Sequence, residues 1–170
     1  MSLVNLLEPG TKVTVSSTAP QTSKKALLTS SDECWTSTSL PSFVHLILPN
    51  PLNNVTHLAL TFQGGFVATT ISIYIAFQAG ESDVNLGLAF GGKIYPEDKN
   101  KRQIFPIPFP PSQSNPFPST TEPRTALEPT TLNPTPPTPA RITELKLEFE
   151  SSSDSHGRVT IYQLELLGAV

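Results

Sequence analysis

Three histidines, a single cysteine and a single tryptophan are the residues of this chain whose types alone could carry chemistry. His45, His57 and His156 stand in none of the HxH, HExxH or His/Cys spacings that gather a metal, because ligands must sit within one turn or one hairpin of each other to converge. Cys34 is a lone thiol with every histidine distant in sequence, so no nucleophile and base are paired locally, and beside Trp35 it reads as a small buried hydrophobe. Asp32 with nearby backbone carbonyls is the one calcium candidate, yet its loop lacks the closely spaced acidic trio of an oxygen cage. The residues therefore point away from catalysis and call for no cofactor.

What remains is chemistry suited to recognition. Trp35, Phe66 and Tyr95 offer aromatic area, Gln63 an amide, Glu97 and Asp98 carboxylates, His156 an imidazole and Arg158 a planar fork of donors. Gly64 and Gly65 let a backbone turn sharply beside them. Such a set suits a peptide, a glycan or a terminal carboxylate. Each member also has a plainer use. Trp35 can plug the end of a core, Glu97 and Asp98 can be solvated turn residues, Asp98 and Asn100 can shape an Asx turn, and Arg158 can pair with Asp154 or Glu33.

The elements that must hold these residues follow from apolar residues recurring at every second position, the signature of strands with one buried face. Eight strands are predicted, over Thr11–Ser17, Phe43–Leu48, Val55–Phe62, Thr70–Phe77, Leu86–Phe90, Gln103–Ile107, Ile142–Phe149 and Arg158–Leu167. Leu145, Leu147 and Phe149 alternate with Glu144, Lys146 and Glu148, so one face meets water, as in an antiparallel β-sandwich. Val159 and Ile161 share one parity and Leu164 and Leu166 the other, which requires a bulge near Tyr162 or Gln163. Gly91-Gly92 marks a second break in the ladder.

Connecting these strands alternately up and down sorts the loops onto two ends. The loops Thr18–Trp35, Gln63–Thr69, Tyr95–Arg102 and Glu150–Gly157 fall at one end, here called the top, and bring the recognition residues together. The loops Pro49–Asn54 and Gln78–Asn85 fall at the bottom, with a proline-rich stretch at about 109–140. That stretch holds too little apolar surface to offset its ordering entropy and reads as a mobile, weakly interacting loop inserted in one domain spanning 1–170. No basic residue flanks a PxxP core in it persuasively enough to make an SH3 or WW ligand.

A net charge of −3 without clustered Lys or Arg gives no field for a nucleic-acid backbone or an anionic membrane, so neither is expected as a partner. No apolar run approaches the ~18 residues of a membrane span, and the first residues do not have the pattern of a signal peptide. One cysteine closes no internal disulfide, in keeping with a reducing compartment, and the sequon Asn54-Val55-Thr56 then reads as accidental. A soluble intracellular monomer is expected.

Several motifs carry a resemblance. Ser31-Asp32-Glu33-Cys34-Trp35-Thr36-Ser37 resembles the acidic and Trp-x-Ser opening of the second strand in discoidin-like domains. With Gln63-Gly64-Gly65-Phe66, Tyr95-Pro96-Glu97-Asp98, Phe105-Pro106-Ile107-Pro108 and Gly157-Arg158-Val159-Thr160-Ile161-Tyr162, the order and spacing are similar to those of the small nuclear-receptor-associated protein family. Its animal member is described as a repressor of a testicular orphan nuclear receptor. The resemblance implies a galactose-binding-like (F5/8 type C-like) jelly roll, a nuclear or cytoplasmic setting and protein–protein interaction rather than turnover. The stretch 109–140 departs from the family as an expansion. The expected function is a non-catalytic adaptor that grips a peptide or protein with its top loops; a carbohydrate-binding module using the same loops is the alternative.

Overall fold

A computed structural model describes residues 2–78, 85–107 and 141–169 of the chain. The proline-rich stretch 109–140 and the centre of one bottom connection, 79–84, lie outside the described residues.

Ten strands are present among the described residues: β1 Leu3–Asn5, β2 Lys12–Val15, β3 Trp35–Thr36, β4 Ser42–Leu52, β5 Val55–Phe62, β6 Ala68–Gln78, β7 Asn85–Ile94, β8 Arg102–Pro106, β9 Arg141–Ser152 and β10 Thr160–Ala169. They form two antiparallel five-stranded sheets, one ordered β1-β10-β5-β8 with β3 also on β10, the other β2-β4-β9-β6-β7. This is the antiparallel β-sandwich expected.

Period-two patterning decides which side chains enter the core. Leu58, Leu60 and Phe62 of β5 face Leu145, Leu147 and Phe149 of β9 across the interior, and all six are fully buried. Ile71, Ile73 and Ile75 of β6 and Val44 and Leu46 of β4 complete the same layer. At about 25 cal/mol per Å² of apolar surface removed from water, each such side chain contributes on the order of 2 kcal/mol before entropy is charged against it.

Both expected breaks in the ladders are found. Ile161 pairs with Phe62 but Gln163 with Thr61, so Tyr162 is the extra residue that returns Leu164 and Leu166 to the inward face. Ile73 pairs with Gly92 and Tyr74 with Phe90, which leaves Gly91 as the bulged residue of β7.

Three features depart from the expectation. β1 is a three-residue strand with every side chain exposed, formed because Leu3, Val4 and Asn5 pair with the end of β10. β3 is a two-residue strand that docks Trp35 on Ile161. Within Thr18–Trp35, expected as a plain top loop, a 3-10 turn spans Lys24–Leu28, capped by the Ser23 side chain on the Lys25 amide at 3.2 Å. Leu27 of that turn belongs to the core, and the turn packs on β10, β2 and β3, so this loop runs along the open side of the sandwich between β2 of one sheet and β10 with β3 of the other.

Strand pairing fixes the two ends. Thr61–Arg102, Ile71–Ile94, Ser42–Phe149, Ala68–Ser152 and Trp35–Ile161 all pair near one end, so the segments 63–67, 95–101 and 153–159 cluster there as the alternation of strands predicts.

Candidate functional site

The floor of the top end is Trp35. Its side chain is 0% exposed, tilted against Phe149 at 6.0 Å, and its indole Nε1 donates to the Ser17 carbonyl at 3.0 Å and lies 3.3 Å from Thr18 Oγ1. Of the two uses the sequence leaves open for Trp35, contact residue or core plug, the structure has the plug: a ring sealed from solvent closes the core and supports the loops. The serine of the same motif is also structural. The amide of buried Ser37 donates to the Val159 carbonyl at 2.9 Å, and its Oγ accepts the Val159 amide at 3.1 Å.

Above that floor, the 63–66 turn is held from both sides. The Gln63 amide donates to the Thr160 carbonyl and the Phe66 amide to the Gln63 carbonyl, both at 3.0 Å. The Gly64 amide donates to Asn100 Oδ1 at 2.9 Å and the Gly65 amide to Asp98 Oδ1 at 2.8 Å. Two of the polar side chains in 95–101 thus cap the neighbouring loop. Gly65 has φ +89°, a left-handed conformation that any Cβ would strain, which is why glycine stands there. Tyr162, displaced by its bulge, turns its hydroxyl toward Gln63 Oε1 at 3.4 Å.

The third loop supplies the charge. Arg158 lies 5.2 Å over the Phe66 ring, a cation–π stack. Asp154 orients it, accepting Arg158 Nε at 2.9 Å and the Arg158 amide at 3.0 Å. Hydrogen bonds from the Arg158 guanidinium, and then from the amides of Arg158 and His156, hold the Asp154 carboxyl at about 2, well below the usual carboxylate range. Of the two pairings open to Arg158 in the sequence, Asp154 is the one formed. The turn closes through a hydrogen bond from the Gly157 amide to the Asp154 carbonyl, with Gly157 at φ +77°.

The structure therefore joins Gln63, Gly64, Gly65, Phe66, Asp98 and Arg158 in one bonded constellation, together with Asn100, Asp154 and Tyr162. Tyr95 is at the same end and 67% exposed, but no hydrogen bond or ring contact ties it to the others among the described residues. Glu97 is engaged locally, with Lys99 Nζ at 2.7 Å and its backbone pinned by Gln103; the hydrogen bond from Lys99 lowers its carboxyl. His156 is exposed, its Nδ1 3.3 Å from Ser155 Oγ.

Beside this constellation lies a polar hollow of about 480 Å³ lined by Ser30, Ser31, Asp32, Asn100, Tyr162 and Gln163. Apart from Asp32, these side chains were not candidates in the sequence. The bulge at Tyr162–Gln163 was legible, but not that it would turn these two side chains toward the returning end of the 18–35 loop. Asp32 is exposed at the hollow's rim, and no group of three or more His, Cys, Asp or Glu that could hold a metal occurs among the described residues. Cys34 Sγ has Thr36 Oγ1 as its neighbour, at 4.0 Å.

No protein-family model matches the chain. It is 32% identical over 153 residues to the nuclear receptor 2C2-associated protein of Bos taurus, covering 87% of this chain and 81% of that protein. The Danio rerio protein of the same name is 30% identical over 150 residues with the same coverage. Among solved structures, the chain resembles a family 32 carbohydrate-binding module from C. perfringens NanJ in complex with galactose, with a TM-score of 0.59 and 14% identity over 92% of this chain and 93% of that one. It also resembles an F5/8 type C domain from Bacteroides fragilis, with a TM-score of 0.62 and 10% identity over 94% and 91% of the two chains. At those identities the solved structures speak for the fold alone. The motifs carried from Trp35 to Tyr162 are set on a discoidin-like sandwich, and the sequence relatives align over most of both chains: this chain belongs to the nuclear receptor 2C2-associated protein family.

Proposed function

We propose that the chain is an intracellular protein-interaction adaptor that grips a peptide or protein segment with the top end of its sandwich. The observation that carries this reading is the Phe66–Arg158 stack, oriented by Asp154 and set beside a 63–66 turn pinned at both glycine amides. Preformed loops lose little freedom on binding, so contacts made there are not spent on ordering the site. An aromatic ring under a partly free guanidinium suits a partner that offers a carboxylate or a backbone carbonyl above an apolar side chain. Exposed Tyr95 extends the surface at the same end. Membership of a family named for association with a nuclear receptor supports a protein partner and a nuclear or cytoplasmic setting.

The test is affinity purification with mass spectrometry, comparing wild type with a variant carrying alanine at Gln63, Phe66 and Arg158. Loss of specific partners from a variant that keeps its circular dichroism spectrum supports the reading; an unchanged set of partners refutes it. A carbohydrate-binding reading is favoured by one specific observation, the polar hollow of Asp32, Asn100, Tyr162 and Gln163 at the same end of a fold shared with glycan-binding modules. A glycan array with purified protein separates the two: binding lost on Tyr162→Ala supports a glycan, and a blank array rejects it.

A further inference from the structure

On the open side of the sandwich, away from the top loops, β2 and the 3-10 turn enclose a cleft of about 790 Å³. Its apolar lining comes from Leu7, Val13 and Leu28, each half-buried and packed on the core from one side only. Its rim carries Lys12, Lys24 and Lys25, all exposed, and none of their three ammonium groups has a hydrogen bond or ion pair in the described structure. Glu8 is the one acid in the lining, and Asn50 Nδ2 donates to its carboxylate at 3.3 Å. The chain as a whole is acidic, so three unpaired lysines around an apolar trough are a local reversal of its charge.

The wall of the cleft also has backbone to offer. β2 is an edge strand, bonded to β4 on one side only. The Ser16 amide donates to the Phe43 carbonyl, so by antiparallel alternation Ser16, Thr14 and Lys12 turn their peptide groups toward β4. Val13 and Val15 then turn their N–H and C=O outward, along the open edge. Nothing in the sheet covers that edge, and both Val13 and Thr14 line the cleft.

We propose that this cleft is a second binding site, which takes a short extended peptide segment of alternating acidic and aliphatic residues as an added strand on β2. An added strand satisfies the outward peptide groups of Val13 and Val15. Because side chains alternate along an extended segment, one set enters the trough of Leu7, Val13 and Leu28 while the other meets Lys12, Lys24 and Lys25. The volume lies within the ~300–1,000 Å³ of sites that hold small ligands, which limits the occupant to a few residues rather than a folded domain. The site is independent of the Phe66–Arg158 constellation, so a chain that uses both joins two partners.

The probe is an acetylated and amidated pentapeptide of alternating glutamate and leucine, titrated into the full-length, isotope-labelled protein and followed by amide NMR shifts. The expected shifts centre on Val13, Val15 and Leu28, with an affinity that falls as salt is raised. The double variant Lys24→Glu and Lys25→Glu should weaken binding tenfold or more. It should keep the fold, since both positions are exposed and neither ammonium makes a hydrogen bond or ion pair in the described structure. The Phe66→Ala, Arg158→Ala variant should bind the pentapeptide as wild type does, so loss of one site is distinguishable from loss of the other. Shifts confined to the top loops, an affinity unchanged by the Lys→Glu pair, or equal binding by a peptide with lysine in place of glutamate overturns the proposal. Inorganic phosphate or phosphatidylserine vesicles displacing the peptide at equal charge concentration would also overturn it, since the site would then read negative charge without a strand.

Discussion

Replacing Trp35 separates two roles that look alike in sequence. If Trp35 is the floor of the top end, its loss is paid in stability. The wild-type ring is fully buried, in contact with Phe149, and its indole N–H satisfies the Ser17 carbonyl. Trp35→Ala removes the whole ring from a closed core, a change that costs about 3–5 kcal/mol. Trp35→Phe keeps most of the apolar volume but deletes the donor. It strands the Ser17 carbonyl at a cost of about 1–3 kcal/mol, with a small added term for the missing ring volume. With a urea m-value on the order of 2 kcal/mol/M, the midpoint should fall by about 2 M for alanine and about 1 M for phenylalanine, with the slope unchanged. Far-UV circular dichroism is the assay, because the protein has no other tryptophan to serve as a fluorescent reporter. A Trp35→Phe variant within about 0.5 kcal/mol of wild type would show that the buried donor is not engaged. A Trp35→Ala variant that loses partners at unchanged stability would return Trp35 to the binding surface and refute the assignment.

Other outcomes follow from the loops and the bottom of the sheet. Asp154, held at about 2 against an ordinary 3.8, contributes stability that is fully present above about pH 4 and is lost as pH falls through 2. Asp154→Asn should flatten that acid limb of stability measured from pH 5 to 2 and leave the neutral-pH fold intact. A steep limb that persists in the variant places the proton elsewhere. Asn100→Ala frees the Gly64 amide, and hydrogen exchange at Gly64 should accelerate while Gly65, capped by Asp98, changes less. Two glycines test space against conformation. At Gly65 a Cβ meets nothing within 4 Å, so Gly65→Ala should cost only the left-handed backbone term of about 1–2 kcal/mol. At Gly168 a Cβ would stand against the Asn54 carbonyl, so Gly168→Ala must move β10 and should cost more in the same urea titration.

Alternation of apolar residues was enough to name the sandwich, because a period of two leaves a strand only one way to bury its side chains. The phase change between Ile161 and Leu164 likewise forces a bulge wherever those four residues must all face inward, and Tyr162 is that residue. Antiparallel connection then sorted the loops onto two ends by parity alone. These are properties of the local chain, and so they can be read along it.

What the sequence left open was decided by groups far apart in the chain. Trp35 could face solvent or core, and its Ser17 acceptor and Phe149 neighbour decided for the core. Arg158 had two carboxylates to choose from, and the 154–158 turn, closed by left-handed Gly157, put Asp154 in reach. β1 has no pattern of its own and exists because the end of β10 offers it hydrogen bonds. The cleft beside β2 needed the 3-10 turn to pack across the open side, which follows from Leu27 entering a core built by other strands. The sequence by itself determined the eight longer strands and the end at which the loops 63–67, 95–101 and 153–159 meet, since period and parity act residue by residue. Only the tertiary structure decided which loop side chains are support and which are surface, since burial and hydrogen-bond partners arise from elements that meet only when the two sheets pack.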